Sequence, residues 1–189
     1  MEDIILIGYG GHAKSVADCI ERQGYYRIIG YTDIEENESV YKYLGTDDVL
    51  QKYYEQGVAN AVVCVGFLGK GYIREEIYRK LKDIGYNLPV IKDPSAIISS
   101  SALIGEGTFI GKRAVINAEA NIGKMVIVNT MALVEHECVV EDFSHIAVSA
   151  VLCGQVSVGR AALVGANATV IQGRQVCPRQ IVPAGTVIR

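Results

Sequence analysis

Three histidines carry most of the chemistry this chain could do. His136 stands between Glu135 and Glu137. An imidazole titrates near neutrality, so it can take a proton from an attacking nucleophile, and a neighbouring carboxylate can orient the ring and stabilise the imidazolium. A surface histidine with no role is the plainer alternative. His145 follows Phe143-Ser144, with Gly154 nine residues further on. The third, His12, lies in Gly8-Tyr9-Gly10-Gly11-His12-Ala13. Glycines let a backbone turn sharply and approach a phosphate, and the N-terminus of a following helix offers N–H groups to it. The helix dipole disfavours protonation there, so a neutral His12 could hydrogen-bond a ligand. A tight strand-to-helix turn would use the same glycines.

The elements needed to position these groups follow from periodicity. Asp3 to Gly8 reads as a buried strand, Gly11 to Gln23 as a helix, Arg27 to Tyr31 as a strand and Ala61 to Val65 as another. A helix is expected over about Tyr72 to Ile84, with Ile73, Ile77, Leu81 and Ile84 on one stripe, and a strand near Leu88 to Ile91. Alternating strands and helices imply a small parallel sheet covered by helices. The polar, Tyr-rich stretch from Asp33 to Tyr54 has no legible period. Read as G-x-G-x-x-A with Asp33 about twenty residues later, the glycine loop fits a dinucleotide fingerprint. A dinucleotide needs a second mononucleotide half, which this α/β region is too short to supply, so one nucleotide fits better. Asp33 would accept hydrogen bonds from its base or ribose, or would serve as a plain cap or turn residue.

From Ser95 the pattern changes. Cut into sixes, the chain reads SAIISS, SALIGE, GTFIGK and so on to GTVIR. The fourth place is aliphatic in every block, from Ile98 and Ile104 to Val182 and Ile188, and the second place is small except at Arg174 and Gln180. A helix needs a period of 3.6 and a sheet strand a period of two. A period of six describes a chain that turns a corner every six residues and stacks one aliphatic per short strand inside a narrow prism. The expected division is an α/β domain over residues 1–92 and a parallel β-helix over residues 93–189.

The bulk numbers exclude several classes. A net charge of −3 with scattered Lys and Arg leaves no basic face for nucleic acid. No apolar run approaches the roughly 20 residues of a membrane helix, and Glu2 and Asp3 stand where a leader would carry basic residues, so a cytoplasmic protein without membrane insertion is expected. Five cysteines, Cys19, Cys64, Cys138, Cys153 and Cys177, show no C-x-x-C pair and read as small buried hydrophobes.

These hexapeptides resemble the left-handed β-helix acyltransferases. The combination of Ile5-Leu6-Ile7-Gly8-Tyr9-Gly10-Gly11-His12-Ala13 with V-N-T-M-A-L-V-E-H-E-C and F-S-H is similar to the sugar N-acetyltransferases of bacillosamine and perosamine synthesis and their sialic-acid relatives. The resemblance implies eighteen residues per coil, a homotrimer, and acetyl-CoA as co-substrate between neighbouring prisms. It implies transfer of acetyl to the 4-amino group of a nucleotide-linked deoxysugar, with UDP as the expected nucleotide and no metal. On that resemblance His136 is the general base and Glu137 its partner. Gly8, Gly10, Gly11, His12, Asp33 and Gly66 belong to the substrate site, together with Asn129 near the acceptor. His145, Gly154, Ala166 and Ala184 contact the acyl-CoA, His145 by a side-chain hydrogen bond and Gly154 by a backbone N–H toward the thioester oxygen. An Asn at a β-helix corner, and a Gly forced by a tight one, are the structural alternatives.

Two departures stand out. Relatives continue past the last coil with a G-V-P-A-type segment, whereas this sequence ends at Gly185-Thr186-Val187-Ile188-Arg189, which puts the coenzyme affinity in question or marks a shortened sequence. The loop from Gly66 to Gly71 is longer than its counterpart, and its Lys70 either reaches a diphosphate or stays solvated. Among rival functions, a β-helix hydratase needs three zinc-binding histidines, and His136 and His145 have the wrong spacing for it. A non-catalytic nucleotide-sugar trimer and an O-acetyltransferase of a sugar hydroxyl remain open, because one histidine base serves amine and hydroxyl alike.

Overall fold

A computed structural model of the chain describes residues 1–67 and 72–189. Leu68, Gly69, Lys70 and Gly71 lie outside the described residues, and with them the expectation for Lys70. The chain forms two compact units, one of residues 1–66 and 72–89, the other of residues 90–189 with Phe67.

In the first unit, β1 (Glu2–Ile7), β2 (Tyr26–Thr32), β3 (Tyr43–Gly45) and β4 (Asn60–Val63) form a parallel sheet in the order β3-β2-β1-β4. Ile4, Ile5 and Leu6 are fully buried in the central strand, as both faces of a parallel sheet require. Helix α1 (Gly11–Gln23) buries Ala13, Val16, Ala17, Cys19 and Ile20 at helical spacing and stops at Gly24, whose left-handed φ of 71° lets its N–H cap Ile20. The stretch without a legible period forms β3, a 3-10 turn at Asp47–Val49 and α2 (Leu50–Glu55). Burial of Leu50 and Tyr31, rather than any local period, stabilises it.

Helix α3 (Tyr72–Ile84) has the expected bounds but not the expected buried stripe. Arg74, Glu75 and Leu81 are buried, while Ile73 is 36% exposed. Ile73 and Ile77 face a cavity instead of the core. The strand expected near Leu88 to Ile91 does not join this sheet. Asn87 makes a single bridge to Asn60, Pro89 has no N–H to give a ladder, and Leu88 is apolar because it is buried.

The second unit is a left-handed parallel β-helix, an exception to the usual right-handed crossover. It begins one side earlier than the sixes suggested, at β5 (Ile91–Lys92), which pairs with Phe109–Ile110. Two-residue strands stack into three parallel faces. The first face includes Phe109–Ile110, Ile127–Val128, His145–Ile146 and Leu163–Val164; the second Val115–Ile116, Leu133–Val134 and Val151–Leu152; the third Asn121–Ile122, Val139–Val140 and Ser157–Val158. Each residue pairs with the one eighteen further along, as Leu133 does with Val151. The aliphatic fourth places from Ile110 to Val182 form one continuous core with the small second places Ala114, Ala120, Ala132, Ala150, Ala162 and Ala168.

A corner every six residues demands a left-handed backbone, and non-glycine residues including Arg113, Met125, Glu137 and Gln155 adopt it, with φ between 54° and 63°. Each such residue costs about 1–2 kcal/mol. The ladder offsets it, because the N–H of the strained residue reaches a corner carbonyl one coil back, as Gln155 N does to His136 O at 3.0 Å.

Candidate functional site

The residues singled out in the β-helix separate onto two edges. His136 sits at the corner between the second and third faces, exposed to solvent. Its Nδ1 lies 3.0 Å from Glu137 Oε2. The carboxylate accepts, so Nδ1 carries the proton and the Nε2 lone pair is free to act as a base. Gln155, one coil above Glu137, donates its Nε2 to the same Glu137 oxygen at 3.2 Å and fixes it from the other side. The His136 backbone is clamped as well. Its N–H donates to Glu135 Oε2 at 3.2 Å, and Asn117 Nδ2, one coil below, donates to that oxygen at 2.8 Å.

Gly154 lies one coil above His136 and half a coil from His145, with which the resemblance grouped it as a coenzyme contact. A Cβ there would fall 2.5 Å from His136 Cε1 and 2.6 Å from Nε2, so any side chain would displace the ring. Glycine is required here by the imidazole rather than by its own φ. Beneath it, Cys138 Sγ donates to Cys153 O at 3.1 Å. Burial raises the pKa of this thiol and keeps it protonated. Cys19, Cys64 and Cys138 are buried as expected of small hydrophobes, whereas Cys153 is half-buried and Cys177 exposed at the outer end of the coil stack.

The second edge runs along the first face and the corner after it. Asn129 Nδ2 and His145 Nε2 are 3.3 Å apart, and Asn129 Oδ1 accepts from Thr130 N at 2.8 Å. The ring of Phe67 meets that of His145 edge-on, with centroids 6.4 Å apart. Ala166 and Ala184 stack at this corner, eighteen residues apart. Among the described residues nothing accepts their N–H groups, since the preceding corner residues Gly165 and Pro183 bring no side-chain oxygen. The structure therefore brings His136, Glu137 and Gly154 together and Asn129 with His145. A corner faces away from the opposite side of a three-sided prism, so the two groups lie on opposite sides of one β-helix.

In the first unit the glycine loop joins β1 to α1. Gly8 has φ of 86°, and a Cβ there would come within 2.9 Å of Val65 Cγ2. Gly10 and Gly11 are exposed, with open space where a side chain would begin, and no side chain caps α1. Asp33 ends β2 and clamps the loop: its Oδ2 accepts from Tyr9 N at 2.8 Å and from Asn37 Nδ2 at 3.2 Å, its Oδ1 from Ile34 N at 2.7 Å. Tyr9 stacks on Tyr31 at 4.4 Å. Gly66 approaches α1, its Cβ position 3.7 Å from that of His12. A cavity of about 370 Å³ opens at the carboxyl ends of these strands, lined by Gly8, Thr32, Asp33, Asp47, Ile73 and Ile77 among others. Ile34, 88% exposed, borders it too, and Thr32 Oγ1 holds Asp47 Oδ1 at 2.6 Å. Crevices at this end of a parallel sheet hold ligands.

Sequence reasoning missed the roles of Asn117, Cys138 and Gln155 at the His136 corner. The stride of eighteen could have found two of them, because 117 leads to 135 and 137 to 155. It also missed Asp47, which lies in the stretch without a period. Among the described residues no group of three His, Cys, Asp or Glu could hold a metal ion, and no helix is long and apolar enough to cross a membrane.

Residues 3–81 match the family described as the PglD N-terminal domain. Over its whole length the chain is similar to PerB from Caulobacter crescentus, solved in complex with CoA and GDP-perosamine, with 33% identity and a TM-score of 0.95, the match covering 100% of this chain and 89% of that one. The acetyltransferase domain of PglB from Neisseria gonorrhoeae FA1090 is 32% identical with a TM-score of 0.93, covering 100% and 92%. The same domain in complex with acetyl coenzyme A is 31% identical with a TM-score of 0.81, covering 98% and 95%.

Proposed function

Because this chain belongs to the sugar N-acetyltransferase family and is a CoA-dependent acyltransferase, we propose that it moves acetyl from acetyl-CoA to the 4-amino group of a nucleotide-linked deoxysugar, with His136 as general base. The observation that carries this reading is the His136 corner, where Glu137 takes Nδ1 and Gly154 leaves room beside Nε2.

Attack by the amine nitrogen on the thioester carbonyl forms the new C–N bond and pushes the carbonyl electrons onto oxygen. His136 Nε2 accepts the proton that the nitrogen sheds, and Glu137 stabilises the imidazolium. Gly154 N–H donates to the developing oxyanion. Collapse breaks the C–S bond, and His136 returns the proton to the departing thiolate. Glu135 and Asn117 hold the corner while this happens. His145, Ala166 and Ala184 are proposed to contact the coenzyme, and Asn129 to lie near the acceptor. The opposed placement of the two edges supports a homotrimer in which each site takes one edge from each of two neighbours.

Gly10, Gly11 and His12 at the uncapped start of α1 are proposed to hold the diphosphate, with Gly8, Asp33 and Gly66 shaping the loop and cavity around the nucleoside. The orientation of Asp33 toward Tyr9 N–H gives it a second task, holding the loop in place. We take the nucleotide to be UDP, on the sequence resemblance, and the enzyme to act in the cytoplasm.

The test is release of free CoA thiol from acetyl-CoA with UDP-, GDP-, dTDP- and CMP-linked 4-amino sugars, alongside thermal shifts for each nucleotide sugar. A cognate sugar at a hundred times its Kd should stabilise the fold by about 2.7 kcal/mol. Thiol release with a hydroxyl acceptor and none with amines would overturn the assignment to N-acetylation, and preference for a GDP-sugar would overturn UDP.

A further inference from the structure

Three second-place side chains in the β-helix carry a donor that reaches a corner carbonyl fifteen residues ahead. Thr108 Oγ1 donates to Gly123 O at 2.9 Å, Ser144 Oγ to Gly159 O at 2.9 Å and Cys138 Sγ to Cys153 O at 3.1 Å. In each case the carbonyl is pulled toward the prism interior. The described peptides are all trans, so the N–H of the same peptide points the opposite way, outward. What receives it differs. Lys124 N–H, on the peptide of Gly123, donates to Asp142 Oδ1 at 2.8 Å. Arg160 N–H, on the peptide of Gly159, donates to Glu141 Oε2 at 2.8 Å. At these two corners the locked peptide thus binds an anionic oxygen supplied by the chain. At the third, Gly154 N–H has no acceptor among the described residues, and the His136 ring lies against its Cα. At Ala166 and Ala184, two other corners with an N–H in this state, Ala150 and Ala168 stand at the second place and the carbonyl is held from within its own turn instead, Gly165 O by Ala168 N at 3.0 Å and Pro183 O by Thr186 Oγ1 at 2.7 Å.

We propose that Cys138 is a positioning residue for acetyl transfer: its buried thiol locks the Cys153–Gly154 peptide so that the Gly154 N–H stands outward beside His136 Nε2 as the donor to the oxyanion. The carboxylates at Lys124 and Arg160 mark where that oxygen comes to rest relative to a locked peptide. Preorganisation of this kind matters because a donor free to rotate must be reoriented as charge develops. The inference rests on the proposed acetyl transfer at His136.

Two substitutions separate the lock from packing. Val occupies the same second place, fully buried, at Val126 and Val156, so Cys138→Val keeps the core and removes the donor. Cys138→Ser keeps a donor. The expected result is a kcat about tenfold lower for Cys138→Val with KM for acetyl-CoA unchanged, and a kcat for Cys138→Ser within about twofold of the parent. Equal kcat for Cys138→Val and the parent, or an equal fall in both variants, overturns the proposal. A readout independent of turnover is the Gly154 amide resonance and its hydrogen exchange, expected to change in Cys138→Val and to be restored in Cys138→Ser. An unchanged amide overturns the lock even where the parent transfers acetyl. A parent that transfers no acetyl to any acceptor overturns the reading of the His136 corner instead, and the amide still decides the lock.

Discussion

At the scale of single residues, His136 has the environment of a base built in advance. Glu137 takes one ring nitrogen, Gly154 leaves space at the other, and both backbone polar groups are occupied, the N–H by Glu135 and the C=O by Gln155 N. Removing the ring removes the proton acceptor and little else, because the side chain is exposed. His136→Ala should therefore lower turnover by about 10²- to 10⁴-fold while acetyl-CoA affinity stays nearly constant. Steady-state kinetics with a titration of acetyl-CoA binding will measure both, and retention of more than a tenth of the parent turnover would sink the assignment. The histidine and its flanking carboxylates were legible in the sequence as candidate chemistry. The resemblance named Glu137 as the ring's partner and gave Glu135 no task; in the structure Glu137 Oε2 lies 3.0 Å from the ring and Glu135 Oε2 accepts the backbone N–H.

The glycine loop shows the same division of labour at the scale of an element. Three glycines look alike in the sequence, yet the structure needs only Gly8 for its own fold, through a positive φ and a 2.9 Å approach to Val65. Among the described residues nothing lies within 4 Å of a Cβ at Gly10 or Gly11, which fits the proposed role of a bare backbone facing a ligand at the start of α1. Gly8→Ala should cost about 1–3 kcal/mol of stability. Gly11→Val should leave stability within about 0.5 kcal/mol and weaken nucleotide-sugar binding. Thermal melts with and without nucleotide sugar will decide between these outcomes. Equal sugar affinity in Gly11→Val and the parent would return the loop to the role of a plain turn.

For the whole molecule, the telling fact is that His136 and His145 face away from each other on one β-helix. Nine residues are half of an eighteen-residue coil. A single prism cannot join them, but a cyclic trimer sets one side of each prism against a different side of the next. If each site takes His136 from one chain and His145 from its neighbour, inactive His136→Ala and His145→Ala chains refolded together in equal amounts should recover about a quarter of the parent activity, since an intact site needs the right chain at two places, each with a chance of one half. The specific activity of the mixture is the measurement. A value no higher than either variant alone rules out a shared site.

The six-residue period determined the β-helix before any coordinates, because an aliphatic at every fourth place has only one way to be buried throughout, on the axis of a prism. The strand, glycine turn and helix at the N-terminus were equally plain, each stabilised by local periodicity and a visible helix stop at Gly24. Tertiary structure alone decided which residues meet. Gly154 over His136, Gln155 over Glu137, Cys138 under Cys153 and Asn129 beside His145 are all fifteen to eighteen residues apart in sequence, and those pairings depend on the direction each side chain takes at a corner. Tertiary structure also settled the stretch from Asp33 to Tyr54, whose short elements are held by the burial of Tyr31 and Leu50 against their neighbours and leave no period to read.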